Sequence, residues 1–150
     1  MSPLLNPLPI IIFGRSAQIG KVVQEGLAPR YEVIHFFSSA TTATTDLPRL
    51  LAGQEPQSPD DSGIGTRNYA NPARAVVFGR GYDNADVDEL RKISEGSNKD
   101  PVVWLMGDPE KRPAALTPGP GYAQAAAKDA RDILDTWKKN GGVRDEVLLW

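Results

Sequence analysis

Ile10-Ile11-Ile12-Phe13-Gly14-Arg15-Ser16-Ala17-Gln18-Ile19-Gly20 runs from an apolar stretch through a glycine into a segment with helical spacing. A short β-branched run stopped by glycine reads as a fully buried strand. Ile19, Val22, Val23 and Leu27 then recur at helical spacing from Ala17 to Ala28, and Pro29 closes that helix. Buried strand, tight turn and helix N-terminus in this order open a nucleotide-binding βαβ unit. Its backbone N–H groups and helix dipole converge on one point, where a phosphate can sit. Tyr31-Glu32-Val33-Ile34-His35-Phe36-Phe37 supplies the second strand, parallel to the first.

The bulk properties narrow the alternatives. A chain of 150 residues fits one domain, residues 1–150, and buries a core without staples. Its net charge of −2 gives no general attraction to nucleic acid or to an anionic membrane, so any anion must be held locally. The absence of cysteine excludes disulfides, thiolate nucleophiles and cysteine metal sites. With His35 as the only histidine, a multi-histidine metal site is excluded and no metal is expected. No run approaches the ~18 apolar residues of a membrane span. No basic residue precedes Arg15, and Pro3, Pro7 and Pro9 interrupt the apolar start, so a signal peptide is not expected and the cytosol is.

Beyond the second strand the pattern changes. Asp46 is placed to N-cap a short helix carrying Leu47, Leu50 and Leu51. Residues 54–72 are rich in Pro, Gly and Ser and read as a long surface loop, either a plain insertion, which the composition favours, or a ligand lid. Ala75-Val76-Val77-Phe78 is a third strand, stopped by Gly79-Arg80-Gly81. A helix follows from Asn84 or Asp86, with Val87, Leu90 and Ile93 on one face and capping-box spacing between Asp86 and Glu89. Residues 101–106 form a fourth strand ended by Gly107, and 110–121 a Pro/Gly-rich connection. The last helix runs from Tyr122 to Lys139, its inner stripe Ala126, Ala130, Ile133, Leu134 and Trp137. Lys128–Asp132 and Asp135–Lys139 are spaced to pair on its outer face. Residues 146–150 end the pattern as a fifth strand. Alternating strands and helices predict an α/β fold: one doubly wound three-layer domain of about five mostly parallel strands and four helices.

Ligands of such sheets bind beyond the carboxyl ends of the strands, where the winding reverses. Those ends are Gly14 to Gln18, Phe37 to Thr41, Gly79 to Asn84 and Gly107 to Arg112. Glycine opens three of them, which lets backbone approach a ligand closely. Arg15, inside the first turn, is the best anion-binding candidate, and Arg80 is the next. The acidic Asp83, Asp108 and Glu110 oppose Arg15, Arg80, Lys111 and Arg112, so no strongly positive funnel follows.

Gly14-Arg15-Ser16-Ala17-Gln18-Ile19-Gly20 resembles the G-x-x-G-x-x-G turn of short-chain dehydrogenases and their NmrA-like relatives, with Ala17 at the middle glycine. The chain also resembles small stand-alone Rossmann-type proteins of fungi. The resemblance implies an NAD(P)-type cofactor held by Gly14, Arg15, Ser16, Ala17, Gln18, Ile19 and Gly20, with Ser38, Gly79 and Arg80 nearby. In that family an acidic residue after the second strand binds the ribose of NAD. Phe37-Ser38-Ser39 offers none, and Ser38, Ser39 and Arg15 suit the 2′-phosphate of NADP better.

The family's reductase chemistry is not carried over. It uses Tyr-x-x-x-Lys on one helix face, where lysine lowers the tyrosine pKa. Here Ala126 stands four residues after Tyr122, and Lys128 follows at six, on another face. Nor does another chemistry fit. Gln18 stands where a nucleophile elbow needs glycine, and Val22 follows Gly20-Lys21 where a Walker A loop needs Ser or Thr. Asp83, Asp86 and Asp88 read as helix-capping groups, and His35 as a core histidine. Three functions stay open. One is a binder or sensor of a phosphate-bearing ligand. Another is an unorthodox reductase or isomerase using Arg80, Tyr82 and Asp108. The last is an interaction module whose site has decayed, with a homodimer through the apolar edge at 147–150.

Overall fold

The computed structural model of the chain describes residues 5–58, 62–79, 81–107, 121–142 and 144–150. These form β1 (Leu8–Phe13), α1 (Ala17–Leu27), β2 (Tyr31–Phe37), α2 (Ala40–Leu51), β3 (Ala75–Phe78), α3 (Asn84–Ile93), β4 (Val103–Met106), α4 (Tyr122–Lys139) and β5 (Glu146–Leu149). All strand pairings are parallel, in the order β2-β1-β3-β4-β5. The expected Rossmann-like α/β class holds. No helix among the described residues is long and apolar enough to cross a membrane.

Two cores lie on the two faces of this sheet. On the first face α1 and α4 pack over Ile10, Ile12, Val33, Val77 and Leu105. On the second, α2 and α3 pack over Ile11, Phe13, Ile34, Val76 and Trp104. This distribution fixes the handedness of the connections. From β1 to β2 the chain steps toward one sheet edge with its helix on the first face. From β2 to β3 and from β3 to β4 it steps the other way with helices on the second face. Those three crossovers share one hand. From β4 to β5 the step continues in the same direction, but α4 lies on the first face, so this crossover has the opposite hand. Parallel crossovers are right-handed in about 98% of cases. Coverage explains the exception, because α1 alone is too narrow to bury the first face of β3 and β4. Small residues let α4 come close to α1: a Cβ on Gly26 would lie 2.6 Å from that of Ala127. The Arg131 guanidinium donates to the Gly26 carbonyl at 3.1 Å.

A bulge in β2 changes what that strand presents. Ile10 pairs with Val33 but Ile11 with His35, leaving Ile34 as the extra residue. Tyr31 and Val33 face the first core, and after the bulge Phe36 does. The segment at 62–70, expected as a surface loop, straps the outer edge of β2. Thr66 N–H donates to the Val33 carbonyl at 2.9 Å and Arg67 N–H to that of Ile34 at 3.0 Å. Ile64 is buried in the first core, and the Gln24 amide donates to its carbonyl. Tyr69, at the other end of the strap, packs on the second core.

Several local expectations give way. The second helix begins at Ala40 rather than at Asp46, because Ser39 caps it by accepting from Thr41 N–H. Asp46 lies inside that helix at 1% exposure and accepts N–H groups from Gln57 at 2.8 Å and Ser58 at 3.1 Å. The capping box of α3 joins Asp83 to Asp86, not Asp86 to Glu89, and Ile93 is exposed at the helix end. Asp135 turns from Lys139 to the amino edge of the sheet, where Arg30 and the Tyr31 hydroxyl donate to it at 2.7 and 2.6 Å. Burial beside Asp135 pushes the Tyr31 phenol well above its ordinary pKa. Lys128 pairs with Asp132 as expected.

Replacing Asp46 with Ala strands two backbone donors, and urea denaturation should show a loss of about 2–3 kcal/mol. A loss below about 0.5 kcal/mol would mean that water satisfies those donors instead. Ser94 sets the opposite test, since its hydroxyl is buried and has no hydrogen-bond partner among the described residues. Ser94→Ala should leave stability unchanged or raise it by up to about 1 kcal/mol. A clear loss would reveal an unseen partner for the hydroxyl.

Candidate functional site

The winding reverses at β1, which has β2 on one side and β3 on the other. Gly14 N–H donates to the Phe37 carbonyl at 3.0 Å and Gly79 N–H to that of Phe13 at 2.9 Å. The ladders thus run just past the strand ends and set the β1–α1 and β3–α3 turns side by side. Ser16 caps α1 by accepting from Ile19 N–H at 3.3 Å, while Ala17 and Gln18 are exposed in the first turn. Their amides have no acceptor within their own helix. Ser39 caps α2 on the opposite face, next to the exposed Ser38. Neither first turn holds an acidic residue, whereas α3 starts with the Asp83–Asp86 box. The uncompensated dipole ends therefore stand after β1 and after β2, on opposite faces of the sheet.

Arg15 crosses between the turns. Its guanidinium donates to the Gly81 carbonyl, with Nη2 at 3.2 Å and Nε at 3.4 Å. Its Cζ sits 4.2 Å from the Tyr82 ring centroid, a cation–π contact. Tyr82 is buried against Phe13 and Phe78, and its hydroxyl donates to the Gly14 carbonyl at 3.4 Å. Burial raises the Tyr82 phenol pKa, Arg15 draws it down and Asp86 adds to the rise. The net direction is upward, so the phenol holds its proton and donates a hydrogen bond at neutral pH.

Gly14, Arg15, Gly79 and Tyr82 thus meet at one place, with Ser16, Ala17 and Gln18 beside them. Ile19 and Gly20 face inward, Ile19 against the first core and Gly20 buried in α1. Arg80 and Asp108 lie outside the described residues. Tyr122 packs on the first core at the start of α4, while Lys128 is engaged with Asp132. His35 is buried, its Nδ1 2.7 Å from the Tyr69 hydroxyl.

The glycines here have neighbours inside the protein. A Cβ on Gly14 would lie 3.0 Å from the Phe36 ring and one on Gly20 2.6 Å from it. On Gly79 it would lie 3.3 Å from the Phe13 carbonyl oxygen, and on Gly81 2.6 Å from the Arg15 stem. Phe36 is the residue that sequence reasoning missed, because the bulge that turns it toward α1 leaves no mark in the stretch Val33-Ile34-His35-Phe36-Phe37. Trp150 is another. Its indole donates to the Phe78 carbonyl at 2.9 Å and its N–H to that of Met106 at 2.9 Å, closing the carboxyl end of β3 and β4.

Across 141 residues the chain is 43% identical to Kojic acid related protein 6 of Aspergillus oryzae, covering 93% of this chain and 84% of that protein. The chain belongs to that protein's family. No family model matches the sequence, and no solved structure does.

Gly20→Ala tests the Phe36 contact. The new methyl should destabilise by about 1–3 kcal/mol through overpacking, although Ala favours helix over Gly by about 1 kcal/mol. Combined with Phe36→Leu, the loss should fall short of the sum of the two single losses. Strict additivity in a denaturation cycle would show that the two residues do not press on each other.

Proposed function

We propose that this protein binds a phosphate-bearing nucleotide where the β1–α1 and β3–α3 turns meet, and that it is not a reductase of the Tyr-x-x-x-Lys type. The observation that carries this reading is the Arg15 guanidinium, held over Gly81 and Tyr82 beside the neutral serine cap of α1. A phosphate there would gain first-turn amides, a dipole end and a cation that still has free donor capacity. Between the nicotinamide dinucleotides, Ser38 with no carboxylate after β2 favours NADP over NAD. Tyr82, Arg80 and Asp108 are weaker support for an unorthodox enzyme, since the Tyr82 proton is committed to the Gly14 carbonyl. The relative's name connects it with kojic acid and specifies no reaction, so kojic acid joins the compounds to be tried.

One observation favours a second reading, an interaction module. Gly14, Gly20, Gly79 and Gly81 each have a steric reason internal to the protein, so none requires a ligand. Under that reading β5, half-exposed with Leu149 at its end, is the surface for a partner or a second copy.

Thermal shift with NADP, NAD, FAD, FMN, ATP and kojic acid separates the two. A ligand at ~100 times its dissociation constant adds about 2.7 kcal/mol of stability. Arg15→Ala should remove most of that shift, while Tyr122→Phe should leave it intact. Arg15 is the better probe than Gly14, where any side chain would press on Phe36 whatever the ligand. No shift with any of the nucleotides would favour the interaction module.

A further inference from the structure

The hand of the last crossover leaves its mark on β5. Because α4 crosses to the first face, no helix among the described residues follows β4 on the second. There Val147 is only half-buried and Leu149 is 43% exposed. Leu148 packs toward the first core and is half-buried as well. The ladder to β4 also fixes where the backbone of β5 points. Trp150 N–H donates to the Met106 carbonyl, so strand alternation turns the peptide groups of Glu146, Leu148 and Trp150 toward β4. Val147 and Leu149 therefore aim N–H and C=O outward, where nothing among the described residues meets them. Natural edges that stay single are blunted by lysine, proline, a bulge or a covering segment. The β5 strand has no lysine or proline, and its register with β4 is unbroken.

We infer that β5 pairs antiparallel with β5 of a second copy, about a two-fold axis at Leu148, joining the two sheets into one. The outward groups choose this register. Val147 exchanges both backbone hydrogen bonds with Leu149 of the second copy, and Leu149 does so with its Val147. Leu148 meets Leu148 across the axis on the first face, and Val147 meets Leu149 on the second, apolar against apolar. A register centred on Val147 would instead set Asp145 against Leu149. The two Glu146 side chains stand about 13 Å apart along the paired strands, beyond a Debye length of about 8 Å. A net charge of −2 adds little further repulsion. The β2 edge of another copy is already taken by Thr66 and Arg67, so β5 has only β5 to meet. The inference stands whether or not a nucleotide binds at β1, and it names the occupant of the surface that the interaction-module reading leaves open.

The chain has no cysteine, so single cysteine substitutions in the full chain report the register. Facing residues at the axis have Cα atoms about 4.5 Å apart, within disulfide reach. Leu148→Cys should therefore cross-link into a covalent dimer under mild oxidation. In Leu149→Cys the two Cα atoms stand roughly 8 Å apart, too far for a disulfide. That variant should cross-link at least tenfold more slowly, although its side chain is the more exposed. Sedimentation velocity should find the unaltered chain dimeric. Leu149→Pro removes an outward N–H and no bond to β4, and it should weaken the dimer at least tenfold, since symmetry deletes that bond in both strands. Circular dichroism checks its fold, and Leu149→Lys, a charge at an exposed edge position, replaces it if the proline variant unfolds. A chain still monomeric at about 1 mM overturns the inference and leaves nucleotide binding untouched. A dimer that the folded variant weakens less than tenfold overturns it too. So does a dimer in which Leu149→Cys cross-links as fast as Leu148→Cys.

Discussion

Five parallel strands present two apolar faces, and a parallel sheet is stable only when helices bury both. That requirement sets the course of the chain. The first three crossovers leave α1 by itself on one face and place α2 and α3 on the other. A fourth helix on the favoured hand would have left Val77 and Leu105 in water. The chain instead carries α4 to the first face, and the alanines of α4 let it nest against Gly26 of α1. Burial of a side chain such as Leu contributes about 1.5–3 kcal/mol. Several such residues on the first face outweigh a local preference for handedness.

The same constraint made much of the fold legible. β1, β3 and β4 are buried on both faces and therefore appear as continuous apolar runs, and each inner helix appears as a stripe at helical spacing. The strands and helices stand where those patterns place them, apart from the start of α2. Other features arise from contacts between distant segments. The strand order, the face chosen by α4 and the strap on β2 all depend on which surfaces remain to be covered. Asp46 is a clear case: next to an apolar run it has the look of a cap, and only the backbone donors of Gln57 and Ser58 show why a carboxylate belongs inside a helix.

At the site, the sequence disclosed the turn and its arginine but not what they touch. Glycine is informative in a sequence because it marks a place where a Cβ is unwelcome, yet it does not say what would collide with one. At Gly14 and Gly20 the neighbour is the Phe36 ring, and at Gly81 it is the stem of Arg15. The turn is tight for reasons of packing, and its helix carries a neutral serine cap beside Arg15. Tyr82 joins that turn to Arg15 through its ring and to Gly14 through its hydroxyl.

The strap along β2 also bears on how copies of this chain can meet. A sheet edge with free N–H and C=O groups is a template for another strand, and a molecule with two such edges can extend without limit into a fibre. Here Thr66 and Arg67 occupy the β2 edge, while β5 carries no such cover among the described residues. A molecule with a single adhesive edge is a chain terminator. Pairing of two β5 edges, were it to occur, would stop at two copies, because the strap leaves the β2 edge closed.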